Sequence, residues 1–281
     1  MSRIEEALEK AKSLRGDAKS SETIERVVHT QTDELLRTAI KEMPASPYLV
    51  VLSEPDSPIT EEYRKLKSKI VQLTQKGGGF QNTLMITSAM AGEGKSITAL
   101  NLAITMAQEY DHTVLLVDAD LRKPTLHKYL GIKSELGLSD VLTKGIDVQD
   151  VLVQTGIGKL VFLPSGGSIA NPVELFLSNK MKDLIHELKH RYTDRYIIFD
   201  TPPILPFAEV QSIAAIMDGV VFVVREGHAP VNAIKEAMLL LKDTKIFGVV
   251  YNDAQVSLDR QHYYYNYRNY YNRKSSKGEK I

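Results

Sequence analysis

The stretch TLMITSAMAGEGKSITALNLAITMA, residues 83–107, decides the fold. It opens on an apolar run of β-forming residues, breaks at a glycine-containing loop, and resumes as helix formers. A strand, such a loop, and a helix opening on Lys-Ser together match a phosphate-binding loop. In that arrangement backbone N–H groups of the loop and the helix N-terminus point at phosphate oxygens. Gly92 and Gly94 let the backbone come close. Lys95 would reach the β- and γ-phosphates, and the Ser96 hydroxyl would hold Mg²⁺. One position departs from the pattern. Glycine usually stands five residues before the Gly-Lys pair, and here that residue is Ala89.

Outward from this stretch the same alternation runs from about residue 60 to 252. Apolar runs recur as TVLLVDA, LVFLPSG, YIIFDTPP, GVVFVV and KIFGVVYN, with helical segments beginning at Lys95, Pro172 and Pro230. The runs are continuously apolar, as expected for strands buried on both faces. Strands alternating with helices predict an α/β fold with a mostly parallel sheet and right-handed crossovers. Residues 2–15 read as a short amphipathic helix, and 33–41 as another short helix. The polar, proline-punctuated segment 16–56 reads as a linker and adaptor. The expected division is 1–45 for the N-terminal helix and linker, 46–258 for the domain, and 259–281 for a tail. That tail has almost no aliphatic residues and reads as disordered on its own.

Two further strands deliver carboxylates. VLLVDADLRKP, residues 114–124, places Asp118 and Asp120 at the carboxyl end of a strand, where open α/β sheets bind ligands. Residues two apart on a strand share a face, so both side chains can address one site. YIIFDTPP, residues 196–203, ends another strand on Asp200. Three carboxylates beside a phosphate loop make a site for a Mg²⁺-nucleotide. Mg²⁺ needs only one or two carboxylates besides phosphate oxygens and water, which leaves one carboxylate free as a general base.

Bulk properties limit the alternatives. The chain has 281 residues, 43% hydrophobic and 25% charged, with zero formal net charge and no cysteine. Nothing global selects nucleic acid or membrane, and neither a disulfide framework nor thiol chemistry is available. The opening MSRIEEALEKAKSLRG has no apolar core of a signal peptide. No run approaches the roughly 20 apolar residues that span a bilayer, so membrane association is expected through a partner.

With these elements in place the chain resembles the bacterial tyrosine kinases (BY-kinases) of capsular and exopolysaccharide biosynthesis. The resemblance covers roughly residues 45–272. It rests on SAMAGEGKS as Walker A, VLLVDAD as Walker A′, YIIFDTPP as Walker B, DADLRKP, NPVEL, and a terminal tyrosine cluster. The opening SRIEEALEKA is similar to the exosortase-associated subgroup. The resemblance implies a three-layer P-loop NTPase fold of the MinD/ParA-like deviant Walker branch, using ATP and Mg²⁺. It implies a nucleotide site formed by Ala91, Gly92, Glu93, Gly94, Lys95, Ser96 and Ile97, with Arg122 and Asn252. It gives Lys95, Asp118, Asp120 and Asp200 catalytic roles, and Ser96, Asp118, Asp120 and Asp200 metal roles. Glu209 stands where the family often carries aspartate. The helix EEYRKLK is similar to the family's subunit-packing helix, with Glu61, Arg64 and Lys67 as interface residues of a ring. Lysine stands at the last position in place of arginine, which weakens bidentate pairing. The partners implied are a membrane-embedded polysaccharide co-polymerase as activator, a cognate tyrosine phosphatase and further copies of the chain, with no nucleic acid. The expected location is the cytoplasmic face of the plasma membrane, held there by the partner.

The cluster YYYNYRNYY, residues 263–271, then acquires a meaning. It holds six of the chain's thirteen tyrosines: Tyr263, Tyr264, Tyr265, Tyr267, Tyr270 and Tyr271. A flexible tyrosine-rich segment is what phosphoryl transfer to tyrosine needs as an acceptor. Residues 259–281 carry six Lys/Arg against two Asp/Glu, a net +4, so the tail is drawn to a carboxylate-lined site. Each phosphate adds roughly −1.5 to −2, so six reverse the sign. Two other classes share the nucleotide site. A ParA/MinD-type switch ATPase usually carries a second lysine where this chain has Met90, and lacks the tyrosine tail. A nucleotide-gated scaffold for polysaccharide assembly would bind without transferring.

Overall fold

A computed structural model of the chain describes residues 46–255, apart from 76–78, 110, 111, 168, 170, 192 and 193. The helices expected at 2–15 and 33–41 and the tyrosine cluster lie outside the described residues. Seven strands form one sheet: β1 (Thr83–Ser88), β2 (Thr113–Asp118), β3 (Val153–Gln154), β4 (Leu160–Leu163), β5 (Arg195–Asp200), β6 (Gly219–Arg225) and β7 (Ile246–Asn252). Their order is β3-β4-β2-β5-β1-β6-β7. Every neighbouring pair is parallel except β3 with β4. The six apolar runs named from sequence are six of these strands. The two-residue β3 is the addition.

Alternating side chains of the strands serve two faces. Met85, Leu115, Val117, Ile197, Phe199, Val220 and Phe222 join one core with Leu138, Phe176, Met181, Ile185 and Val210. Those last five come from α5 (Leu138–Lys144), α7 (Pro172–Leu177), α8 (Asn179–Arg191) and α9 (Ala208–Ala214). Along α8, Met181, Leu184, Ile185 and Leu188 are the buried positions, a stripe of helical period. The alternate strand residues, among them Leu84, Ile86, Leu116 and Ile198, are equally buried and turn to the opposite face. There α3 (Lys95–Ala107) packs on the sheet, buried at every position from Thr98 to Ala107. A helix buried all round lies between two layers, and α2 (Pro58–Thr74) is its outer cover. The result is the expected three-layer α/β fold.

Local signals set the ends of α2. Ser57 caps it by accepting from Thr60 N at 3.2 Å, Pro58 occupies the first turn, and Glu61 adds a negative charge at the positive pole. The remaining helices are α1 (Val50–Ser53), α4 (Leu126–Tyr129), α6 (Val148–Val151) and α10 (Val231–Leu240).

The linker reading of 16–56 gives way over residues 46–56, which the expected division at residue 46 had put in the domain. Leu49 and Val51 are buried. Asn101 of α3 accepts from Val51 N at 3.2 Å and donates to Tyr48 O at 2.8 Å. The phosphate-loop helix therefore holds this segment as part of the domain.

Candidate active site

The phosphate loop is held in shape by its own side chains and by the far edge of the sheet. Ser88 Oγ donates to Met90 O at 2.7 Å, and Glu93 Oε2 accepts from Met90 N at 2.7 Å. Gly92 and Gly94 have φ of 88° and 91°, values that L side chains rarely adopt. A Cβ on Gly94 would stand 2.0 Å from Asn252 Nδ2. That amide donates to the Glu93 carbonyl at 2.9 Å, so the last residue of β7 braces the loop. His228, in the turn after β6, places Nε2 2.8 Å from the Ala91 carbonyl oxygen. No motif marks His228. Only the neighbourhood of β6 and β1 in the sheet reveals it.

Behind the loop, residues from three strand ends meet. Lys95 Nζ lies 2.9 Å from Asp120 Oδ2 and 3.4 Å from Ser96 Oγ. Asp118 and Asp200 sit directly opposite each other in the β2–β5 register. Asp120 is held by Lys123 N, which donates to Oδ1 at 3.0 Å, and Asp118 Oδ2 accepts from Leu126 N at 3.3 Å. The Walker B turn is fastened to β1. Thr201 Oγ1 donates to Ile86 O, Thr87 Oγ1 to Pro202 O, and Ile204 N to Ser88 O. The structure brings Lys95, Asp118, Asp120 and Asp200 together.

The electrostatics follow from crowding. Burial, then the charges of Asp200 and Asp120, holds the Asp118 carboxyl well above the usual carboxylate range. Burial pushes Asp200 up to about 6, against the pull of Lys95. Burial alone would lower Lys95, but Asp200, Asp120 and Asp118 outweigh it and keep the ammonium above its ordinary value. Asp118 Oδ1 and both Asp200 carboxylate oxygens are buried with no hydrogen-bond partner. Such orphaned oxygens are expensive unless a cation or donor arrives.

That donor set suits Mg²⁺ arriving with a nucleotide. Among the described residues no three His, Cys, Asp or Glu side chains could hold a metal ion as a group. A hard cation here would draw its shell from phosphate oxygens and water, with Ser96 and one or two of the carboxylates completing it.

Two expected sets turn out differently arranged. Arg122 directs Nε to Glu209 Oε1 at 2.8 Å, and its guanidinium lies 4.4 Å over the Phe207 ring. Glu209 is 1% exposed. On α2, Glu61 and Arg64 pair with each other at 3.1 Å and are about half exposed. Lys67 instead turns inward to Glu109 at 2.6 Å, so the three do not present one common charged face.

Residues 81–245 match the model of the AAA domain family. The tyrosine-protein kinase YwqD of Bacillus subtilis (strain 168) is 36% identical over 220 residues, which are 77% of this chain and 90% of that protein. The kinase domain of the Escherichia coli tyrosine kinase ETK superposes with a TM-score of 0.69 at 26% identity. The match covers 78% of this chain and 83% of that one. The septum site-determining protein MinD of Pyrococcus horikoshii OT3, complexed with Mg-ADP, has a TM-score of 0.53 at 25% identity. It covers 62% of this chain and 71% of its own.

Proposed function

We propose that this chain, which belongs to the bacterial protein-tyrosine kinase family, transfers the γ-phosphoryl group of ATP to the tyrosine cluster 263–271 of its own kind. In doing so it regulates polysaccharide polymerisation and export. The observation that carries this reading is the set of buried, unpartnered oxygens on Asp118 and Asp200 beside the Lys95–Asp120 pair. They wait on a loop whose glycines and helix N-terminus suit phosphates.

The nucleotide phosphates lie along the loop and first turn, from Ala91 to Ile97, with Asn252 bracing the loop from outside. Lys95 already points toward Asp120, so a γ-phosphate held by this lysine would meet the carboxylates at the end of β2. Mg²⁺ bound with the nucleotide would supply neutralisation of phosphate charge. Ser96, Asp120 and Asp200 support it, directly or through water. Asp118 Oδ1 accepts the proton of the acceptor tyrosine, and its raised affinity for a proton suits that role. The tyrosine Oη forms a bond to the γ-phosphorus while the bond to the β,γ-bridging oxygen breaks, and ADP leaves. Lys95 stabilises the charge spread over the transferred group.

A membrane-embedded co-polymerase as activator, a ring of copies and a cognate phosphatase complete the proposal. No helix among the described residues is long and apolar enough to cross a membrane, which fits docking on such a partner. In the ring, Glu61 and Arg64 are the half-exposed members of the packing helix. A switch ATPase is disfavoured by Met90, an exposed thioether where a second lysine would stand.

Purified chain incubated with γ-labelled ATP and Mg²⁺, with and without its tail, tests the reading. Label on tail tyrosines is expected. Free phosphate with an unlabelled tail indicates a switch ATPase, and neither product indicates a scaffold.

A further inference from the structure

Arg122 is set two residues beyond Asp120 on the rim of the site. Its Nε is committed to the buried Glu209 carboxylate at 2.8 Å, and its plane is held 4.4 Å over Phe207. Glu209 and Phe207 both come from the segment that follows β5, at the start of α9. The guanidinium is therefore gripped at its inner edge and on one face, while the side chain remains a third exposed. Among the described residues its two terminal nitrogens have no hydrogen-bond partner. A guanidinium carries five donors in a fixed fork that matches a phosphate bidentately. Orienting it in advance reduces the ordering cost of capturing an anion. Nucleotide phosphates have the loop, the helix N-terminus and Lys95 for that purpose. Arg122 is left for a second anion.

The acceptor makes such a group informative. The unmodified tail is basic and offers Arg122 nothing but repulsion, since Asp259 is the only acidic residue between 256 and 278. Once one tyrosine is phosphorylated, its neighbours one to eight positions away carry a dianion close by. Extended chain covers about 3.3–3.6 Å per residue, so a phosphate one to three residues from the reacting tyrosine sits roughly 3–11 Å from it. Arg122 follows Asp120 by two residues, so their Cα atoms lie at most about 7 Å apart. We propose that Arg122 is a phosphotyrosine receptor, through which a phosphate already on the tail docks beside the site and presents the next tyrosine. This rests on the kinase reading above. It makes phosphorylation of the cluster self-reinforcing: the first transfer is slow and later ones are faster.

The test uses the full chain with its six tail tyrosines changed to phenylalanine, and synthetic peptides of residues 259–272. One peptide is unmodified and one carries phosphotyrosine at Tyr271. Wild-type Arg122 is expected to favour the phosphorylated peptide by tenfold or more in kcat/KM for the remaining tyrosines. In Arg122→Gln the ratio should fall to near one. Because that variant strands the Glu209 charge, Arg122→Gln with Glu209→Gln, which removes both charges, is measured alongside. Equal use of the two peptides by the wild type overturns the proposal. So does a ratio that survives both variants while KM for ATP rises, which would make Arg122 a nucleotide ligand. If neither peptide is labelled, the kinase reading fails and the receptor is judged by binding alone. Fluorescence anisotropy of the phosphopeptide then supports it if binding is lost with Arg122, and overturns it if binding is absent or unchanged.

Discussion

Lys95 Nζ and Asp120 Oδ2 stand 2.9 Å apart, both nearly buried, with Asp118 and Asp200 behind them. In the free protein this lysine neutralises carboxylates, and a nucleotide has to draw it toward phosphate. Lys95→Met removes the one cation in contact with the cluster. The transfer depends on electrostatic stabilisation, where one lost donor costs about 10²–10³-fold. Autophosphorylation should fall at least about a thousandfold, measured by tail labelling. Phosphotyrosine at the wild-type rate would refute the assignment of the site.

Asp200 gives a pH-dependent stability signature. Its folded pKa, about 6, is raised from 3.8, so between those values the native state binds more protons than the unfolded one. Stability therefore falls as pH rises through that window. The penalty is complete above about pH 6 and is of order 2–3 kcal/mol. Asp200→Asn should melt several degrees higher than the wild type at pH 8 without nucleotide, with the gap closing by pH 4. Its activity and Mg²⁺ dependence should be severely impaired. Equal melting temperatures at pH 8 would contradict the buried, unpartnered state of this carboxylate.

Gly94 tests the fit between loop and sheet edge. At φ 91°, a side chain is strained whatever the space, and its Cβ would strike the Asn252 amide. Gly94→Ala should cost about 1–3 kcal/mol and weaken ADP binding severely by calorimetry. Removing the obstacle as well, in Gly94→Ala with Asn252→Ala, should recover only part of the loss, because the backbone strain persists. Full recovery would show that the amide contact alone matters.

These residues differ in how far sequence could announce them. The strands were legible because burial on both faces makes them continuously apolar, and Asp118 and Asp200 because each closes such a run. The two-residue β3 has no periodicity to detect. Residues 46–56 looked like linker because two buried side chains among prolines make no pattern, and their partner Asn101 lies fifty positions on. Arg122 was placed near the site, but its direction is set by Glu209, 87 residues away. Helical spacing put Lys67 beside Glu61 and Arg64. Its turn inward to Glu109 depends on how α2 packs against the end of α3, which spacing does not encode.

Asn101 carries a quantitative expectation of its own. Its amide satisfies Val51 N, Tyr48 O and Ile97 O. Asn101→Ala leaves buried backbone groups unpaired, a cost of about 1–3 kcal/mol. The urea midpoint should drop accordingly, and protease should cut near residues 46–56 before the rest of the domain. An unchanged midpoint would mean that the segment holds its place without this bridge.

The tail should be phosphorylated by a neighbouring copy. Asn252 ends β7 while its side chain touches the phosphate loop, so the chain leaves the sheet beside that loop. The carboxylate proposed as base stands on β2, four strand positions away in the order β2-β5-β1-β6-β7. At about 4.8 Å per strand that is roughly 19 Å. Eleven residue steps lead from Asn252 to Tyr263, a reach of under about 40 Å, so length alone permits return to the chain's own site. The obstacle is the route, which runs from β7 back along the sheet edge, past the phosphate loop after β1, to β2. A neighbour's site opens without that crossing. Mixing a Lys95→Met chain that keeps its tail with an active chain truncated after Asp259 isolates transfer between copies. Label should accumulate on the inactive chain, at a rate that rises with the concentration of the truncated one. An unlabelled inactive chain, with full-length wild type labelled under the same conditions, would establish that each tail returns to its own site.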